Sequence, residues 1–147
     1  MSRNTVLSAL AVIVLLAATY FLIEQLTGGA PTTETSLEEL GPPLVKISIP
    51  SRMNSRAQAG QDIYVANCAY CHGVNATGQD GIAPPLVHIV YEPNHHGDES
   101  FQRAVAQGVR QHHWPFGDMP PVGGLSRYDV TLVTEYIRTL QRANGIR

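Results

Sequence analysis

The sequence predicts an all-α domain of three to four short helices, preceded by one membrane-spanning helix. Three observations predict it. Apolar residues recur at helical spacing near the C-terminus, loops dense in proline and glycine separate the helical segments, and an uncharged apolar run occupies residues 5–23. At 147 residues the chain has room for one modest domain of about 100–150 residues, not a two-domain enzyme. A formal net charge of -2, with Lys46 the only lysine, excludes the clustered basic footprint of a nucleic-acid binder.

Arg3 precedes the apolar run, which is longer than the core of roughly 7–15 residues of a secretory signal and falls in the range of ~17–25 for a spanning helix. Residues 1–27 are therefore expected to be an uncleaved anchor. The alternative is cleavage after Ala30, where Gly28 and Ala30 are small, although Pro31 disfavours it. With Arg3 on one side and Glu24 on the other, the positive-inside rule keeps the N-terminus cytoplasmic and exports the rest. The expected location is the bacterial cytoplasmic membrane, single-pass, with the folded domain on the periplasmic side. Residues 28–52, rich in Pro, Thr, Gly and Ser with three glutamates, read as a linker in which Leu44, Val45, Ile47 and Ile49 alternate and can lie extended. The globular domain is expected over 53–147.

The first helix is expected over "SRAQAGQDIYVANCAYC", where no β-branched strand run precedes the cysteines, so Cys68 and Cys71 lie at a helix end. Three chemistries compete for "CAYCH". A disulfide oxidoreductase would place its thiols after a strand in a βαβ unit. A zinc site would need two further ligands, which only His88, His95, His96, His112 and His113 are available to supply. Covalent haem attachment needs two cysteines, two intervening residues and a following histidine, which makes His72 the proximal iron ligand. In an exported chain with no other cysteine this third reading is favoured.

A middle helix is expected from "DESFQRAVAQGV", with Asp98 as cap, Phe101, Ala104 and Val105 apolar, and Gly108 at its end. Met119 follows in "FGDMPPVGG", where prolines and glycines forbid a helix and favour a stiff loop that holds a thioether sulfur; His72 and Met119 together would suit electron transfer. His112 and His113 are rival ligands in the same loop. The last helix has Ser126 as N-cap with Asp129 three residues on, and Val130, Val133, Ile137 and Leu140 along one face.

These motifs, in this order, resemble the class I monohaem cytochromes c, in a membrane-anchored bacterial form, over roughly the C-terminal two thirds. "AGQDIYVANCAYCHG" is similar to that family's first helix and haem-binding loop, with Gly60 and Tyr64 at the customary positions. "GIAPPLVH" resembles the loop whose proline carbonyl accepts the hydrogen bond of the ligand histidine, a position Pro84 fits. "FGDMPP" resembles the axial-methionine loop, and "SRYDVTLVTEYIRTLQ" the C-terminal helix, whose aromatic, here Tyr136, crosses a small residue, here Gly60. The resemblance implies a cytochrome c fold wrapped around one covalent haem c. It also implies an indole N–H from Trp114 to a haem propionate, with Arg110 and His113 as similar candidates.

From Met53 onward seven arginines face eight acids, so no lysine ring is present for salt-dependent docking. The expected function is a membrane-tethered one-electron carrier rather than an enzyme. Its expected partners are redox proteins such as a quinol-cytochrome c oxidoreductase, a terminal oxidase or a periplasmic dehydrogenase. The alternatives are a haem c subunit of a larger membrane oxidoreductase complex, or a sensor or metal-handling haem protein using the pairs His95/His96 and His112/His113. If those pairs converge, copper is the expected metal.

Overall fold

The computed structural model describes residues 14–22 and 41–147. The chain divides into two units, Met1–Thr35 and Ser36–Arg147. In the first, residues 14–22 are helical, and Val14, Leu15, Leu16, Tyr20, Phe21 and Leu22 are exposed. The remainder of the expected anchor, 1–13 and 23–27, and the alternative cleavage position at Ala30 lie outside the described residues. Among the described residues no helix is long and apolar enough to cross a membrane.

The second unit is built from α1 (Ser55–Asn67), α2 (Ala69–His72), α3 (Asp98–Gln107) and α4 (Arg127–Ala143), with 3₁₀ turns at Val74–Ala76 and Ile89–Tyr91. Among the described residues no strand longer than an isolated bridge forms. The two longest helices, α1 and α4, each start where a polar side chain satisfies an orphan N–H. Asn54 Oδ1 accepts from Ala57 N at 2.8 Å ahead of α1, and Ser126 forms a reciprocal capping box with Asp129 ahead of α4. For α3 the expectation needs correction: the N-cap is Gly97, and Asp98 is the first helical residue. Its carboxylate is drawn away from the helix end by Arg138, whose Nε donates to Oδ1 at 2.9 Å. Gly108 ends α3 as expected, at a φ of 74°.

The core is the crossing of α1 and α4. α1 buries Ala57, Gly60 and Tyr64, three or four residues apart on one face, and α4 buries Val130, Val133, Tyr136, Ile137 and Leu140. Gly60 permits the close approach: a Cβ there would lie 2.0 Å from the Leu132 carbonyl oxygen and 3.1 Å from Tyr136 Cβ. The rings of Tyr64 and Tyr136 then meet at 5.4 Å, tilted by 53°. Fully burying each large apolar side chain contributes about 1.5–3 kcal/mol, so this crossing is the main apolar contribution of the unit.

Two polar arrangements fasten irregular chain to this pair. Arg138, 5% exposed, donates from α4 to the carbonyls of Tyr91 and His96 as well as to Asp98, so one guanidinium fixes the loop ahead of α3. The segment from Gly41 onward is extended against the domain. Leu44 and Val45 N–H donate to Thr77 O, and Ser48 and Asn144 exchange a pair of hydrogen bonds at 2.7 and 2.9 Å. Ile47 packs against the core, while Ile49 stays exposed.

Candidate functional site

Cys68 closes α1 and opens α2. Its N–H donates to Tyr64 O at 2.8 Å, and its carbonyl accepts from Cys71 N at 3.2 Å and His72 N at 2.9 Å. A single tight turn therefore gathers Cys68, Cys71 and His72. Both cysteines are free, Cys71 exposed and Cys68 half-buried. Burial pushes the Cys68 thiol up to about 11, and the neighbouring Cys71 adds to the rise. A redox dithiol needs the opposite shift at its attacking cysteine, so the disulfide-exchange reading is disfavoured.

The His72 ring is 8% exposed, and its Nδ1 lies 2.9 Å from the Pro84 carbonyl oxygen. A carbonyl only accepts, so Nδ1 carries the hydrogen and Nε2 keeps a bare lone pair. Burial lowers the pKa of this imidazole and the carbonyl bond works the other way. The ring is thereby neutral at pH 7, oriented, and basic at Nε2, which is the state a metal requires.

Local interactions hold that geometry. Gly78 N donates to His72 O at 2.7 Å, and a Cβ at Gly78 would meet Pro85 N at 2.5 Å, so only glycine lets the two loops touch. Gln79, 2% exposed, donates through Nε2 to the carbonyls of Tyr70 and Cys71 and accepts at Oε1 from Gly41 N at 2.9 Å. The buried Tyr64 hydroxyl donates to Gly73 O at 2.9 Å. Sequence reasoning did not find Gln79: it lies eight residues past Cys71 in a turn, and no spacing rule ties a lone glutamine to carbonyls upstream.

Met119, Trp114, Arg110 and His113 share the loop between α3 and α4. Val109 and Met119 exchange two backbone hydrogen bonds at 2.9 Å, and Asp118 Oδ1 accepts from Gln111 N at 2.9 Å, which closes the loop at its base. Met119 is half-buried. The Trp114 ring meets His88 edge-on at 5.1 Å and stacks on Phe116 at 5.8 Å. Its Nε1 is buried without a hydrogen-bond partner. Tyr91, whose hydroxyl is pushed up to about 12 by burial, is near enough for the indole to favour its ionised form slightly but is not in hydrogen-bonding geometry. Arg110 is exposed, and its carbonyl accepts from His112 Nδ1 at 2.9 Å. His113 is exposed and turned toward His95, with their Nε2 atoms 3.3 Å apart.

Thus the structure brings Cys68, Cys71, His72 and Pro84 together, and sets Met119 and Trp114 on a separate closed loop. Among the described residues no hydrogen bond joins that loop to His72. The family model for cytochrome c matches residues 57–141, more than half of the chain, from α1 through α4. The chain belongs to the cytochrome c family. No curated protein and no solved structure matches it.

As a cytochrome c the chain is an electron-transfer haem protein, and its cofactor is haem c, held covalently. The residues fit that group. Two free thiols stand at the attachment spacing on an exposed turn beside a buried, oriented imidazole with a bare Nε2. On the loop between α3 and α4, the Trp114 N–H is a buried donor that makes no hydrogen bond among the described residues.

Proposed function

We propose that this cytochrome c is a membrane-tethered one-electron carrier of a periplasmic chain, with haem fastened through Cys68 and Cys71 and iron held by His72 and Met119. The observation that carries the reading is the buried His72 ring, its Nδ1–H committed to Pro84 O and its Nε2 left bare beside two free thiols. When bound, the haem supplies one-electron exchange between Fe(III) and Fe(II). The Pro84 carbonyl fixes the ring plane and raises the basicity of Nε2. Gln79 and Gly78 hold the attachment turn against the Pro84 loop.

Met119 would serve as the second iron ligand because its loop is closed at the base by Val109 and stiffened by Pro120 and Pro121, so the thioether is presented at low entropic cost. The orphaned indole of Trp114 supports its role as donor to a propionate. Arg110, exposed, is free to supply charge to a propionate. His113 faces His95 instead, which weakens its claim to that role. The near balance of arginines and acids favours docking through apolar surface, and tethering through residues 1–27 raises the effective concentration near membrane partners such as a quinol-cytochrome c oxidoreductase, a terminal oxidase or a periplasmic dehydrogenase.

A redox titration followed by visible spectra tests the ligation. Wild type is expected to show the weak band at the red end of the visible spectrum that marks iron–thioether bonding, and Met119→Ala to lose it with a fall in potential. Ready binding of carbon monoxide by the reduced wild type would sink the His72/Met119 assignment. Tethering is tested by cell fractionation: haem protein in the membrane fraction with an intact N-terminus is expected, and a mature chain starting at Pro31 overturns it. Stoichiometric co-purification with a catalytic partner after detergent extraction would replace the carrier with a resident haem subunit.

A further inference from the structure

The two histidine pairs come from different loops, and folding brings three of their four rings to one point. His95, His96 and His113 each offer a ring nitrogen, and these atoms all lie within 4.8 Å of one another. His95 Nε2 and His113 Nε2 are 3.3 Å apart. Two nitrogens about 2.0–2.1 Å from a tetrahedral ion stand roughly 3.3–3.4 Å apart, so this edge already has the length a zinc polyhedron needs.

The scaffold favours a site over a chance meeting. His96 Nδ1 lies 2.6 Å from Val90 O, a bond that fixes the hydrogen on Nδ1 and leaves Nε2 bare, as metal-bound histidines require. The His95 and His96 N–H groups both donate to Glu92 O, and Arg138 donates from α4 to His96 O, so the turn that presents the rings is tied down at its backbone. His113 arrives from the loop closed by Val109 and Met119.

We propose that His95, His96 and His113 form a surface site for Zn(II), with water in the fourth position, distinct from the haem attachment turn. The site is open, since His95 and His113 are exposed and His96 is half-buried. The ion would replace the weak imidazole–imidazole contact and clip the turn ahead of α3 to the loop that carries Met119. Cu(II) is expected to compete for the same nitrogens by the Irving–Williams order, but it prefers a tetragonal edge of about 2.8 Å, shorter than the one present. The inference rests on the reading in which Met119, not His113, is the second iron ligand.

The test is equilibrium dialysis of Zn(II) against haem-loaded, untagged protein stripped with chelator, with X-ray absorption at the zinc edge as the second readout. One equivalent with a sub-micromolar dissociation constant and about three imidazoles around zinc is expected. His95→Ala, His96→Ala and His113→Ala should each weaken binding at least about tenfold. Far-UV circular dichroism and the thermal midpoint of each holo-variant, matched to wild type, report that the fold is intact. Absence of a sub-micromolar site, fewer than three imidazoles at the metal, or equal affinity in the His95→Ala/His113→Ala variant would overturn the proposal.

Discussion

At the scale of single residues, side chains with one unambiguous hydrogen-bonding role carry the site. His72 has a carbonyl on one nitrogen and a free lone pair on the other, and the two thiols beside it are free. Replacing both Cys68 and Cys71 with alanine is expected to abolish covalent attachment, read as loss of haem staining on a denaturing gel while any residual haem extracts into acid–acetone. Arg138 is the structural counterpart. Its guanidinium is buried, yet its carboxylate partner Asp98 has a side chain 74% exposed, so Arg138→Met strands no buried acid. It does strand the carbonyl of His96 and the buried Oε1 of Gln141, while Tyr91 O keeps its bond from Gln141 Nε2. At about 1–3 kcal/mol for each buried group left unpaired, the variant should lose about 2–4 kcal/mol in urea unfolding of the holo-protein.

At the scale of elements, the crossing of α1 and α4 sets the positions of everything else. Gly60→Ala gains about 1 kcal/mol of helix propensity but places a methyl 2.0 Å from a backbone oxygen that cannot rotate away. The helices must separate, and a net loss of about 2–3 kcal/mol is expected from the shift of the denaturation midpoint. The start of α4 makes a pH-dependent contribution. The side-chain hydrogen bond from Ser126, and then its backbone N–H, hold the Asp129 carboxyl below its ordinary value of 3.8. A group with a depressed folded-state pKa stabilises the fold above its unfolded pKa and loses that contribution as pH falls through the folded value. Ser126→Ala should therefore destabilise the fold at neutral pH, and the gap between variant and wild type should narrow once pH falls below about 4.

At the scale of the whole molecule, the folded unit is short of apolar interior apart from one helix pair, and the extended strap from Gly41 adds closure. The Ser48–Asn144 exchange joins residues nearly a hundred positions apart, so it ties the entry of the unit to the end of α4. Asn144→Ala removes both of these bonds and a third to Leu140 O, and a fall of about 1–2 kcal/mol in holo-protein stability is expected from thermal melting. The strap also lies over Thr77, five residues past His72, so the same variant should speed proteolysis within residues 41–51 before the rest of the unit is cut.

Local rules determined much of this protein. The spacing of Cys68, Cys71 and His72, the capping box at Ser126, the stop at Gly108 and the apolar face of α4 all depend on neighbours within about two helical turns, and they were legible in the sequence for that reason. The expected cap at Asp98 failed because a residue forty positions away, Arg138, engages that carboxylate. Gln79 was invisible for the same reason, since its carbonyl partners and Gly41 meet it only after the chain folds back. Sequence showed two histidine pairs and a lone tryptophan; only the tertiary structure decided that three of the imidazoles converge and that the indole N–H is buried without an acceptor. Spacing along a chain fixes which groups share a turn, whereas burial and the meeting of distant loops are properties of the closed fold.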